Sequence, residues 1–139
     1  MTIKDKIKKL EVERGEIQKQ LNEITEKQEN EVQLPRCRKM IGWCIKSTYS
    51  DNRFAKVLEF IENKNGYFHF IMEEFSVNEA GLASIRLIEH YPYLNKEWWD
   101  IEFPVYGYER ISEEEYQIKK AEMYSEMASR NKLRKWLLT

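Results

Sequence analysis

Near its start the chain repeats apolar residues at a spacing that a single packed globule does not need. Ile3, Ile7, Leu10, Arg14, Ile17, Leu21, Ile24 and Gln28 are separated alternately by four and three positions, which is the a/d seam of a coiled coil. Taking Ile7 as an a position puts Ile7, Arg14, Leu21 and Gln28 at a, and Ile3, Leu10, Ile17 and Ile24 at d. Outside the seam almost every residue is Lys, Glu, Gln or Asn, so the apolar stripe is too narrow for burial deep inside a domain. The spacing predicts a helix from about Thr2 to about Asn30, roughly 45 Å long.

Such a helix is marginal in water by itself. Pairing with a second copy gives its seam something to pack against; the alternative is folding back along its own domain. In a parallel pair Lys6 at g faces Glu11 of the partner at e. Arg14 and Gln28 at a positions lower stability but discriminate register and oligomer state. Gly15 falls on the outer face and weakens the helix by up to about 1 kcal/mol relative to Ala. Leu34-Pro35 reads as the end of the segment, because the residue before proline is pushed out of the helical region. The expected division is a coiled-coil helix over 1–34 and a β-rich domain with a C-terminal helix over 35–139.

A chain of 139 residues has room for one ordinary domain and such an appendage. The charged fraction of 34% is high, as a long solvated helix requires, while the aromatic residues cluster between Trp43 and Tyr108 and place the core there. The net charge of -1 gives no global push toward nucleic acid or membrane. The charge is unevenly spread: Lys and Arg against Asp and Glu number 10 against 8 in Met1–Lys39, 7 against 11 in Met40–Ile111, and 6 against 5 in Ser112–Thr139. Polar residues at the start, the lack of a long apolar run and two cysteines together set the expectation of a cytoplasmic protein with no membrane partner.

From Met40 the hydrophobic period changes to two. Strands are expected over Met40–Tyr49, Arg53–Glu62, Tyr67–Val77, Leu82–Tyr91 and Trp98–Tyr108. The turns between them are Ser50-Asp51-Asn52, Lys64-Asn65-Gly66 with its Asn-Gly hairpin signal, and Asn78-Glu79-Ala80-Gly81, with Pro104 marking an edge or bulge. Five short strands with brief turns predict an antiparallel meander curling into a half-barrel, hence an α+β fold. Ser112-Glu113-Glu114-Glu115 opens a C-terminal helix as a capping box. Its Tyr116, Met123 and Met127 share a face suited to lie on the sheet. Trp136-Leu137-Leu138 at the end of that helix either docks on the domain or belongs to an interface.

Candidate chemistry is sparse. Cys37 lies among Arg36, Arg38 and Lys39, which could lower its pKa and make it reactive, but a structural role for Cys37 and Cys44 is the simpler reading. Their spacing does not suit zinc, and no cofactor is expected. His69 and His90 sit inside strands among aromatics and read as structural. Glu73 and Glu74 point to opposite faces of a strand and cannot share a site. Phosphate-binding and nucleophile motifs are lacking, so a binding protein is expected rather than an enzyme.

Basic and aromatic residues mingle at Lys46, Tyr49, Arg53 and Lys56, and again around Trp98, Trp99, Tyr106, Tyr108 and Arg110. Such a mixture can stack bases and hold phosphates, and it also describes protein-interface hot spots. A nucleotide gripped by Arg53, Arg86 and Arg110 is the ligand alternative, with a nucleic-acid role the weaker one because the central region is acidic.

Ile41-Gly42-Trp43-Cys44-Ile45-Lys46, Lys56-Val57 and Ile111-Ser112-Glu113-Glu114-Glu115-Tyr116 lie in a layout that resembles a group of short bacteriophage-encoded proteins. These have a charged coiled-coil leader, a compact β domain and a C-terminal helix with an acidic cap. Many of them begin the domain with Ile/Val-Gly-Lys-Cys/Tyr; here Trp43 stands in place of that lysine. The resemblance implies a phage or mobile-element accessory protein that antagonises a host defence protein, such as a CRISPR effector, by stoichiometric binding. The expected partners are therefore a second copy of the chain and a host defence protein.

Overall fold

A computed structural model of the chain describes residues 1–78 and 81–138, with the side chains of 131–136 and 138 left aside. Helix α1 (Ile3–Lys39) opens on a capping box in which Thr2 and Asp5 exchange hydrogen bonds. Five strands follow, β1 (Cys44–Ser47), β2 (Arg53–Glu62), β3 (Phe68–Val77), β4 (Ala83–His90) and β5 (Tyr108–Ile111), and then helix α2 (Glu113–Leu138). The strands form one antiparallel sheet in the order β4-β3-β2-β1-β5. The expected α+β architecture is therefore present.

The end of α1 and both ends of β1 differ from expectation, β1 stopping at Ser47 so that Tyr49 lies in the following turn. The helix does not stop at Leu34. It runs through Pro35 to Lys39, although an interior proline costs about 3 kcal/mol. The turn beyond Pro35 is held from outside: Cys37 and Met40 are buried, and Arg36 donates to the carbonyls of Trp99 and Ile101, both at 2.7 Å. Arg38 adds an ion pair to Glu62, with contacts of 2.6 to 3.1 Å. Because Met40, Ile41 and Gly42 then form the helix cap and a tight turn, β1 begins only at Cys44 rather than at Met40.

The larger correction concerns the fifth strand. Trp98–Tyr108 is not a strand; a single 3-10 turn (Lys96–Trp98) leads into irregular chain, and β5 starts at Tyr108. Phe103, Pro104 and Val105 are buried consecutively, which the alternating faces of a strand cannot provide. The segment folds inward instead, with Val105 N–H donating to Phe103 and Tyr93 N–H to Pro104.

The sheet has a core on each face. One is filled by Ile45, Ala55, Val57, Phe60, Phe70 and Met72, together with Cys37, Met40, Phe103 and Val105 from the flanking segments. On the other face Cys44, Phe54, Phe75 and Ile111 receive Tyr116 and Met123 of α2. Of the helix face expected to lie on the sheet, Tyr116 and Met123 do so, while Met127 is half-buried and outside that core. Glu115 N–H donates to Ser112 Oγ at 3.1 Å, which supplies the serine half of the predicted cap. A bulge between Val57 and Glu59 leaves Leu58 outside the ladder, which adds curl to β2. The β2–β3 connection is not the tight two-residue Asn-Gly turn, which needs positive φ at Asn65 too. Gly66 N–H donates to the Asn63 carbonyl, and Gly66 alone, at φ +81°, takes the left-handed position of a three-residue loop with a glycine bulge. Glu79 and Ala80 of the next predicted turn lie outside the described residues, as do the side chains of Trp136 and Leu138.

Candidate functional site

Four aromatic side chains, three exposed tyrosines and a half-buried Trp98, form a continuous ladder where the β1–β2 turn meets the chain between β4 and β5. Tyr93 stacks on Trp98 at 4.3 Å between ring centroids, Trp98 meets Tyr106 edge-on at 6.4 Å, and Tyr106 lies 5.8 Å from Tyr49. Tyr49 and Tyr106 are 71% and 65% exposed, which is far more than core tyrosines show. Two backbone features set the ladder. Thr48 N–H donates to Gly107 at 2.8 Å, tying the two loops together. Gly107, at φ +86°, has no Cβ, and one built there would stand 3.0 Å from the Tyr49 ring, so glycine lets the ring approach. Between Tyr91 and Ile111 the acids Glu97, Asp100, Glu102 and Glu109 outnumber Lys96 and Arg110. The ladder therefore lies in a mildly acidic setting.

A second cluster centres on Glu74, a carboxylate only 1% exposed. Arg86 donates to its Oε1 through Nε and a terminal nitrogen at 3.1 and 3.0 Å, and Arg53 stands 3.8 Å from the same oxygen. The Tyr108 hydroxyl donates to Oε2 at 3.1 Å and lies 3.2 Å from Nε2 of His90. Burial pushes the Tyr108 hydroxyl up to about 12, aided by the neighbouring Glu74 charge. Burial is also the main cause that lowers His90, with Glu74 opposing it. Near neutral pH both groups are thus uncharged, and both oxygens of the buried Glu74 carboxylate are engaged by other members of the cluster. Such an arrangement holds strands β2, β3, β4 and β5 together.

No protein-family model, curated protein or solved structure matches the chain.

The residues singled out from sequence fall into separate places. Tyr49, Trp98 and Tyr106 join the ladder, whereas Arg53, Arg86 and Tyr108 belong to the Glu74 cluster. Arg110 is not with the other two arginines: its guanidinium lies 3.8 Å over the Trp43 ring, at a cleft also lined by Glu102 and Ser112. Lys46 pairs with Glu109 at 3.3 Å, and Lys56 with Glu113 at 3.9 Å. Trp99 sits half-buried under Lys96, away from the ladder. Glu73 and Glu74 do take opposite faces, since Glu73 pairs with Lys120 of α2.

Tyr93 is the ladder member that sequence reasoning missed; its signal was the Tyr91-Pro92-Tyr93 run just past β4. His90 is bonded, but Nδ1 of His69 is buried without a partner among the described residues. Cys37 is not activated by its basic neighbours. Burial dominates and pushes its thiol up to about 12, with Arg36 opposing. No group of metal-ligating side chains occurs among the described residues, and no helix there is long and apolar enough to cross a membrane.

The seam of α1 stands apart from both clusters. From Met1 to Gln28 every residue is exposed, and the apolar seam positions are 49 to 77% exposed.

Proposed function

We propose that the protein is a non-enzymatic binding protein, paired through α1, that grips a protein partner with the Tyr49–Tyr106–Trp98–Tyr93 ladder. On the resemblance of its sequence to small phage proteins, the partner is a host defence protein such as a CRISPR effector, and the binding is inhibitory in the host cytoplasm. The ladder carries the reading. Tyrosine and tryptophan dominate interface hot spots because they offer large rigid contact area at low entropic cost. Here three exposed tyrosines, Tyr49, Tyr93 and Tyr106, are contiguous through a half-buried Trp98 that holds them in place.

A nucleotide sponge has less support. Arg53 and Arg86 already share the Glu74 carboxylate, and Arg110 lies elsewhere against Trp43.

The test is co-purification of the tagged chain from a phage-infected host, with mass spectrometry of captured proteins and released small molecules. The expected result is one stoichiometric protein partner, lost with a Trp98→Ala/Tyr106→Ala variant whose circular dichroism is unchanged. A captured nucleotide without a protein would overturn the reading.

A further inference from the structure

We infer that α1 pairs in parallel with α1 of a second copy, so that two β domains hang on the outer sides of one end of a two-stranded stalk. The inference rests on the self-pairing proposed above and adds its direction and geometry.

The place of the β domain on the helix is the first observation. Gln33, Cys37 and Met40 are the positions buried against the domain. In the heptad that labels Gln28 as a, they fall at f, c and f. Continuing the seam gives Glu31, Pro35 and Arg38, all exposed. At about 100° per residue the two stripes point roughly opposite ways around the helix. The domain therefore sits on the back of the helix and leaves the seam clear from Ile3 to Pro35; only at the helix end does a seam position, Arg38, reach the domain, through Glu62. A fold-back onto the same domain would need the seam to face it. A second helix can approach instead, and neither domain stands between the two.

Charge decides the direction. In a parallel pair Lys6 at g meets the partner's Glu11 at e, and Arg14 faces its own copy with Glu13 at the adjoining g position to receive it. The antiparallel register that keeps all seam positions in contact sets Ile3 against Gln28, Ile7 against Ile24, Leu10 against Leu21 and Arg14 against Ile17. It buries the Arg14 charge against an apolar side chain, which is costly. It also brings Lys6 opposite Lys27 at facing g positions, a like-charge contact. The parallel arrangement also sets the two Arg14 side chains against each other, but a Glu13 adjoins each of them and the Lys6–Glu11 pair adds attraction. The antiparallel register leaves Arg14 against Ile17 and Lys6 against Lys27. The consequence of parallel pairing is bivalence: two ladders at one end of the stalk raise avidity for a partner with two sites or two copies.

Cysteine crosslinking of the full chain tests this. In a parallel pair the two positions 28 lie about 6 Å apart, within disulfide reach; in the antiparallel register they are about 37 Å apart. Both positions are exposed, so Gln28→Cys and Ile3→Cys leave the domain intact, and the native Cys37 and Cys44 are buried. Light scattering should give a dimer. On mild oxidation Gln28→Cys alone should then crosslink to near completion. A mixture of Ile3→Cys with a size-tagged Gln28→Cys should give only like-with-like products. Mixed products alone would overturn the direction while leaving self-pairing intact. A dimer that crosslinks in neither experiment, or an assembly of three or more copies, would overturn the stalk geometry. A monomer by light scattering would sink the self-pairing reading itself.

Discussion

The Tyr108 hydroxyl reaches Glu74 Oε2 at 3.1 Å although two strands, β2 and β1, stand between their own in the sheet order. Only a strongly curled sheet permits this. The β5 side chain crosses the open mouth of the half-barrel to a carboxylate on β3, and the same hydroxyl lies beside His90 on the opposite edge strand, β4. Side chains thus close the gap that backbone ladders leave open. A hydrogen bond to a charged group contributes about 1.5–3 kcal/mol. Tyr108→Phe should therefore destabilise the domain by roughly that amount, in its lower half because Arg86 still neutralises Glu74. Urea unfolding followed by tryptophan fluorescence measures it. A loss below about 0.5 kcal/mol would mean that the contact contributes nothing to closure.

The same latch sets a pH response. Above its unfolded value near 6.5, His90 is neutral in both states and has no effect. Its folded value is lowered, chiefly by burial, so as pH falls below 6.5 the unfolded chain takes up the proton first. Stability then falls with pH and levels off below the folded value. Tyr108 acts at the alkaline end. Its folded value near 12 lies above the ordinary 10, so the unfolded chain loses its proton first and stability falls as pH rises from 10 to about 12. Urea midpoints at pH 7.5 and 5 should differ, and His90→Gln should narrow that difference. An unchanged difference would assign the acid response to other groups.

How far the sequence foretold these features depends on whether each one is local. The α1 seam and the α2 cap are legible because period and spacing within a few residues decide them. The β2–β3 hairpin is legible for the same reason through Gly66, although its loop is one residue longer than the tight Asn-Gly turn expected. The continuation of α1 past Pro35 was not, because its cause is Arg36 binding carbonyls more than sixty residues away. Phe103 to Val105 resembled a strand because alternation and inward folding both use apolar residues. The ladder was half visible: Tyr49, Trp98 and Tyr106 stood out by residue type, but only the fold joins them to Tyr93. Glu74 as a latch was hidden, since a carboxylate in a strand reads as exposed until its partners from β4 and β5 are known.

Thiol reactivity gives an independent check on the core. Cys37 is buried with its thiol held up to about 12, and burial also raises Cys44 despite Lys56 nearby. The reactive thiolate is therefore nearly absent from the folded protein near neutral pH. With an aromatic disulfide reagent at pH 8 the native chain should show almost no fast-reacting thiol, while the unfolded chain shows both. Reaction of Cys37 at the rate of a free thiol would mean that the helix end opens readily, against the packing described here.

Tyr116 offers the sharpest test of how α2 is seated. The side chain is wholly buried, and its ring packs edge-on against Phe54 at 5.6 Å and Phe75 at 5.9 Å. Its hydroxyl, however, is buried with no hydrogen-bond partner among the described residues. Burial accordingly pushes the group's pKa upward. An unpaired buried hydroxyl costs about 1–3 kcal/mol, whereas the ring contributes by filling space. Tyr116→Phe keeps the ring and removes the cost, so it should leave stability unchanged or raise it by about 1 kcal/mol. Tyr116→Ala removes the ring as well and should lose about 3–5 kcal/mol, as large-to-small core changes do. Thermal or urea unfolding of the two variants side by side separates the contributions. If Tyr116→Phe destabilised the domain by more than about 1 kcal/mol, the hydroxyl would have to be satisfied in solution, and the helix would sit on the sheet through a polar contact as well as an aromatic one.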